Sequence, residues 1–491
     1  MIHEVQITLR NVGLLLAQRN LLITGNFVFA AIVPRLMGPG NYGRYALLTS
    51  LAIWFSLFSH FGFQEMMVRF LPQFKAEGDE KNLKKLFNNL VTVSLVTGLM
   101  TTGLYLLLTV LWLRDLDVLL LTTMASTVWV RGVAHPFFTL FLGLNQAARW
   151  GMAEIFRRWF SIVFLISGFY LNGLLGACLG LLLTELVVLS IGVWWGRFHL
   201  SWSEMRLDLS YLTPYLQFGL AFFTINLVLT AFQYSGEILV RSFHMDYIQI
   251  GYFALAYNVF QTIASTIPKF TLAFAPLMTT QLARGETEVL KDWAKDLIKW
   301  LAIGGVVVVM GVVLLGDDLV PLVLGGAYHP VTTNLLVLSL ALFWLALSNV
   351  ATLFTLVYNC PKIALGAGGF RLAVFWTLGI PFVIWWGSLG ACLAILTASA
   401  LYGGYFTWRI HSRIAYSLQP WGCVIALGLL FLPLWWLQSS WAINCALYGL
   451  FMVGYLSLLL FFRIIRLGEL RTVWQAIDPR RRISDLNLEA R

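Results

Sequence analysis

Charge is the scarcest thing in this chain. Only 11% of its 491 residues are Asp, Glu, Lys or Arg, against about 25% in a soluble domain, which excludes an ordinary solvated globule. Metal and redox spacing is missing as well. The five cysteines (Cys178, Cys360, Cys392, Cys423 and Cys445) form no CxxC pair and have no histidine cluster beside them. They read as buried inert thiols, so neither a disulfide nor a metal is expected, and no cofactor is implied. The longest outer loop expected, near Gly316–Pro330, carries only Asp317, Asp318 and His329. That is little equipment for an oligosaccharide polymerase or a membrane glycosyltransferase. Residues 1–20 are too polar for the apolar core of a secretory signal, so the first apolar span is expected to be retained.

What the chain has in plenty is apolar length. Hydrophobic residues make up 59% of it, arranged in stretches of about 20 residues separated by short polar breaks. This is the pattern of helices crossing a hydrocarbon core about 30 Å thick; a membrane barrel would show alternating segments of about ten. The expectation is an all-α polytopic membrane protein with about fourteen spans. Its net charge of +10 then belongs to loops beside an anionic membrane surface and calls for no nucleic acid. Alternate loops sort by charge. One set holds Arg69, Lys75, Lys81, Lys84 and Lys85, then Arg149, Arg197 and Arg206, then Arg284, Lys291, Lys295, Lys362, Arg409 and Arg413. The positive-inside rule puts that set and both termini in the cytoplasm of a cell inner or plasma membrane protein.

The chain also repeats itself. "GLLGACLG" from Gly173 returns as "GSLGACLA" from Gly387, a shift of 214 residues that also carries Phe156–Arg157 onto Phe370–Arg371. "MGPGNYGRYAL" from Met37 matches "MDYIQIGYFAL" from Met245 at a shift of 208. Two copies of equal orientation predict two parallel six-helix lobes, 1–205 and 206–415, as in many secondary transporters. Two extra spans occupy 416–466, and 467–491 is a basic tail.

"PRLMGPGNYGRYALLTSLAIWFSLFSHFGFQEMMVRFLPQF" resembles the opening of the polysaccharide-lipid exporters, O-antigen flippases among them, of the multidrug/oligosaccharidyl-lipid/polysaccharide superfamily. The shared residues are Gly38, Pro39, Tyr42, Gly43, Tyr45, Arg69 and Phe70. "GGAYHPVTTNLLVLSLALFW" and "YNCPKIALGAGGFR" look like that family's second-lobe signature, and the two extra spans resemble its lipid II flippase branch. The sequence departs from the family where His60 and Glu237 stand in place of frequent aspartates. The resemblance implies two lobes in a V and an isoprenoid-diphosphate-linked glycan as substrate. It implies movement of that glycan from the cytoplasmic to the outer leaflet, among membrane lipids and polysaccharide assembly proteins as partners. A drug exporter of the same superfamily is the alternative; those couple to cations through carboxylates, and no acidic residue lies between Val12 and Leu36.

Polar groups inside spans are expensive, so their spacing is informative. Candidate substrate contacts are Arg19 and Asn26 in the first span and His60 in the second. Gln233 lies in the seventh, and Asn258, Gln261 and Lys269 in the eighth. Each set falls along one helical face. Arg19 and Lys269 lack a carboxylate one turn away and are the leading candidates for a diphosphate. Glu65–Arg69 and Glu237–Arg241 have the i, i+4 spacing of helix ion pairs. Arg131 and His135 share the middle of the fourth span. The 214-residue shift takes Arg131 to Leu345 and Glu185 to Ser399, so the second lobe lacks both charges. That joint loss predicts that Arg131 pairs with Glu185, with substrate as the competing partner.

Overall fold

A computed structural model describes residues 2–466 apart from 202–203, 245, 273, 359 and 412–416. The tail expected at 467–491 lies outside the described residues. The described chain is helical throughout. The helices are α1 (Ile2–Leu57), α2 (Phe63–Ala76), α3 (Glu80–Trp112), α4 (Val118–Gly143), α5 (Ala147–Gly196), α6 (Leu209–Gln233), α7 (Gly236–His244) and α8 (Tyr247–Ala264). They continue as α9 (Thr266–Leu272), α10 (Ala275–Ala283), α11 (Thr287–Leu324), α12 (Val331–Val357), α13 (Pro361–His411), α14 (Gln419–Leu429) and α15 (Trp441–Phe461). Among the described residues nine helices are long and apolar enough to cross a membrane, or ten if the bent α6 segment counts as one span. Rows of apolar side chains stand exposed along them. On α3, Leu99, Met100, Leu104, Leu107, Leu108 and Leu111 all face outward, as lipid contact requires.

The count falls short of fourteen because three of these helices are doubled and the expected eighth span is broken at Ser265, between α8 and α9. α5 carries non-helical backbone at Asn172 and Gly173, and α13 at Gly387. The two glycines share one left-handed geometry, φ 54 and 55°, which a Cβ would strain. The chain reverses at each. A Cβ on Gly180 would lie 2.2 Å from the Phe164 carbonyl oxygen, and one on Gly176 1.9 Å from that of Gly168. In an unbroken helix residues sixteen apart would be about 24 Å away. In α13, Gly390 packs on the Phe382 carbonyl with the same closeness, 2.0 Å, and Phe382 and Gly390 are the 214-residue equivalents of Gly168 and Gly176. α1 turns at Gly38, φ 72°, which brings Phe29 and Tyr45 within 6.4 Å.

The 208-residue repeat meets itself in space. A Cβ on Gly43 would sit 1.8 Å from the Tyr247 carbonyl oxygen, and one on Gly251 2.1 Å from that of Pro39. Tyr247 and Gly251 are the repeat equivalents of Pro39 and Gly43, so the contact is reciprocal. It relates the two segments by a local two-fold.

Contacts divide the chain into two compact units: Arg10–Thr262 with Arg371–Ala394, and Ile263–Phe370 with Ile395–Arg491 and Met1–Leu9. The first has its core where α2, α3, α4 and α6 meet, around Phe63, Met66, Phe87, Leu90, Phe137 and Leu212. In the second, α14 and α15 pack on α11 through Val424, Phe451, Tyr455, Val306 and Met310. Polar bonds fasten them there, among them Tyr448 donating to the Val307 carbonyl at 3.3 Å. Gln438 donates to the Val313 carbonyl at 2.7 Å and Asn444 to Asp318 at 2.6 Å.

Candidate functional site

The first unit gathers charged side chains at the depth of its spans. On α4, Arg131 and His135 stand one turn apart. The break between α1 and α2 carries His60 against them, with the two imidazole rings 3.9 Å apart. That break is built tightly. Ser59 shares a 2.7 Å hydrogen bond with Thr101, and Thr97 donates to the Ser59 carbonyl at 2.9 Å. Gly62 (φ 78°) leaves only 2.1 Å between its would-be Cβ and the Gly219 carbonyl oxygen, so this position admits glycine alone. The result is a fixed placement of His60 against α4.

The hairpin of α5 supplies the rest. Arg157 on its first arm bonds Glu154 and reaches across to Glu185 on the returning arm at 3.2 Å. Glu185 is buried at 1% exposure. The expected Arg131–Glu185 pair is therefore corrected: the carboxylate belongs to Arg157. The reversal at Asn172–Gly173 sets Phe164 opposite Gly180 and Gly168 opposite Gly176. Continuing that pairing sets Arg157 nearly opposite Glu185, whereas Arg131 approaches from another helix. The repeat misled because Arg371, the counterpart of Arg157, persists where the counterpart of Glu185 is Ser399. It lies over the Phe232 ring at 3.6 Å.

Arg131 is half-buried and, among the described residues, makes no ion pair or hydrogen bond. It stands within electrostatic reach of Glu154, His60, His135, Tyr45 and Tyr234. Arg158, next to the paired Arg157, also acts on Tyr45 and Tyr234 and lies over the Phe29 ring at 5.1 Å. Arg157 is the guanidinium hydrogen-bonded to Glu154 and Glu185, while Arg131 and Arg158 feel Glu154 only through space and Glu237 acts on Tyr234 beside them. A cation in such a setting is stabilised by an anion that arrives with hydrogen-bond acceptors. The repeat gives Arg158 no signal, because its counterpart at the 214-residue shift is Leu372.

Two more expected pairs are corrected. Glu65 accepts from Asn226 at 3.0 Å, while Arg69 is exposed and lies over the Phe218 ring at 4.4 Å. The intervening contact with α6 draws Glu65 inward and leaves Arg69 outside. Arg241 pairs with Asp115 at 2.6 Å and covers the Tyr247 ring at 4.5 Å. Glu237 is buried, beside Ser50, and its Oε2 has no hydrogen-bond partner. The eighth-span amides are partly absorbed by tyrosines: Asn258 donates to the Tyr42 hydroxyl at 3.0 Å and Gln261 to that of Tyr257. Gln233 reaches the Tyr234 hydroxyl at 3.4 Å, and Asn26 is half-buried. The side chains of Arg19 and Lys269 lie outside the described residues. Among the described residues no three His, Cys, Asp or Glu side chains gather as a metal site.

With this geometry in hand, comparison with known proteins is informative. The profile of the family described as "Polysaccharide biosynthesis protein" matches residues 9–281. The chain belongs to that family. No curated protein matches it at the sequence level. Among solved structures, the chain is similar in fold to the lipid II flippase MurJ in an inward closed conformation. The TM-score is 0.71 at 14% identity, over 92% of this chain and 98% of that one. It is also similar to an inward-facing multidrug resistance MATE family transporter of the MOP superfamily. There the TM-score is 0.57 at 16% identity, over 82% of this chain and 94% of that one. The chain is a multi-pass membrane protein of that family, with the fold those two structures share.

Proposed function

We propose that the protein is a flippase for an isoprenoid-diphosphate-linked oligosaccharide. By this reading it carries that lipid from the cytoplasmic to the outer leaflet by alternating access, as a step in cell-surface polysaccharide assembly. The observation that carries the reading is the surplus of guanidinium at membrane depth. Arg131 and Arg158 both act on Tyr45 and Tyr234, and the carboxylate they share, Glu154, is already bonded to Arg157. A diphosphate offers two adjacent anionic groups, and planar guanidiniums bind such oxygens bidentately. Family membership and the MurJ-like fold support the same substrate class. A cation-coupled drug exporter would need the opposite balance, an anionic site.

The architecture that goes with this reading has fourteen crossings. α1, α5 and α13 each contribute two, since 38, 49 and 50 residues amount to about 57–75 Å of helix against a core of about 30 Å; α8 with α9 makes one, and α3, α4, α6, α11, α12, α14 and α15 one each. On this reading the lobes are 1–205 and 206–415, both termini are cytoplasmic, and Arg19 and Lys269 are further cations for the substrate. The test is deletion in the native host followed by analysis of lipid-linked sugars in each leaflet. Accumulation on the cytoplasmic leaflet is expected, whereas unchanged lipids with new drug sensitivity would overturn the reading.

A further inference from the structure

Away from the arginine cluster, the first unit holds a second polar cavity at the end of its helices. It is about 470 Å³ in volume and is enclosed by the α2–α3 turn, the start of α3, the α4–α5 turn and the segment after α5. Lys75, Lys84 and His199 contribute basic groups and Glu80 one carboxylate, and Arg149 acts on His199 from nearby. The wall is held rigid. Buried Asn88 donates to the Lys84 carbonyl at 2.8 Å and the His199 carbonyl at 2.9 Å, and it accepts from the Ser201 amide at 2.9 Å. Two of the lining residues hold a buried polar atom with no hydrogen-bond partner: His199 at Nδ1 and Gln146 at Oε1. Buried polar atoms are almost always satisfied, so a pair of orphans lining one cavity points to an occupant.

The mouth of the cavity identifies the level at which it sits. Phe198 lines it and is 73% exposed, and Trp194, one turn earlier, is 60% exposed. Arg197 lies over both rings, at 4.8 and 5.7 Å. Exposed aromatics with an arginine mark the membrane–water interface. Basic pockets between helices at that level suit phospholipid headgroups.

We propose that this cavity binds the headgroup of an anionic glycerophospholipid from the surrounding membrane. Lys75, Lys84 and His199 hold its phosphodiester, and Gln146 Oε1 accepts from a headgroup hydroxyl. The site is distinct from the arginine cluster and independent of what the protein transports. Burial, with the Lys84 charge second, holds the His199 imidazole below its ordinary range. A neutral ring can donate from one nitrogen to phosphate without adding a buried charge.

The test uses the full chain in mixed nanodiscs of phosphatidylglycerol and phosphatidylcholine, with retained lipid counted by native mass spectrometry. Wild type is expected to retain phosphatidylglycerol selectively. The Lys75→Gln/Lys84→Gln double variant should lose about thirtyfold in that preference, about 1 kcal/mol for each lysine. Gln146→Leu should weaken it with both lysines intact, and Lys81→Gln, outside the cavity, should leave it unchanged. Equal retention of the two lipids by wild type would overturn the proposal. Displacement of phosphatidylglycerol by inorganic phosphate alone would also overturn it, because the ligand would then be free phosphate rather than lipid. Unfolding temperatures of the variants guard against misfolding; if Lys75→Gln/Lys84→Gln destabilises the chain, Gln146→Leu alone carries the decision.

Discussion

The reassignment of Glu185 from Arg131 to Arg157 makes a quantitative prediction. Glu185 is 1% exposed and its partner guanidinium is 3.2 Å away. Removing one member of a buried pair costs about 3–5 kcal/mol, because the other charge is left uncompensated. The two removals are not equivalent here. Arg157→Ala strands Glu185 and also frees Glu154, so it falls at the upper end of that range. Glu185→Ala leaves Arg157 still bonded to Glu154 and costs about half as much. The double variant Arg157→Ala/Glu185→Ala should therefore be less damaged than the sum, with a coupling of about 2 kcal/mol. Arg131→Ala combined with Glu185→Ala should add within about 0.5 kcal/mol. The assay is unfolding of purified protein in mixed detergent, followed by tryptophan fluorescence on wild type, the three single and the two double variants. Stronger coupling of Glu185 to Arg131 than to Arg157 would refute the hairpin argument.

Other substitutions probe other parts of the account. Gly43→Ala and Gly251→Ala each drive a Cβ to within about 2 Å of a carbonyl oxygen across the local two-fold; either should cost stability or yield in detergent, while Gly103→Ala, with open space around it, should not. Asn88→Ala removes three bonds from a buried side chain and leaves the Ser201 amide without its acceptor, a loss of about 2–3 kcal/mol readable in the same assay. Asp208 caps α6 by accepting from the Tyr211 amide at 3.0 Å and the Ser210 hydroxyl at 2.6 Å, with Lys85 at 3.3 Å. The Ser210 and Tyr211 bonds first, then Lys85, bring its carboxyl down to about 2 from 3.8. A depressed carboxylate stabilises the fold above its unfolded pKa and loses that contribution as pH falls through the folded one. The deficit of Asp208→Ala should thus be full at neutral pH and shrink between about pH 4 and pH 2.

Much of the architecture was legible in the sequence, and the reasons are physical. Apolar stretches matched to bilayer thickness identify a helical membrane protein without further help. The Gly173 and Gly387 segments announced equivalent features because only glycine tolerates the left-handed turn that both adopt. Pairing was less legible. Helical spacing places Glu65 and Arg69 one turn apart, yet a neighbouring helix that offers Asn226 competes for the carboxylate, and spacing along one helix carries no information about that competitor. Arg157–Glu185 needed the fold-back of α5 to be read as a register, with residues paired about the turn, rather than as two spans compared across lobes. Asn88 and Asn89 carry no signal in the sequence because His199, Ser201 and Asp208, which they bond, lie more than a hundred residues away. The arginine surplus was half visible: Arg131 stood out as a cation in an apolar run, and Arg158 did not until Arg157 had been assigned its carboxylates.

The central claim is that Arg131 and Arg158 serve an anionic lipid-linked glycan during transbilayer movement. The most direct measurement follows a fluorescent isoprenoid-diphosphate saccharide in proteoliposomes, scoring its arrival in the opposite leaflet by accessibility to an external quencher. Wild type should move the lipid, and Arg131→Gln/Arg158→Gln, folded to the same stability, should slow it at least tenfold, equivalent to about 1.4 kcal/mol of lost binding. Movement by the double variant at the wild-type rate, or no movement by wild type, would contradict the account.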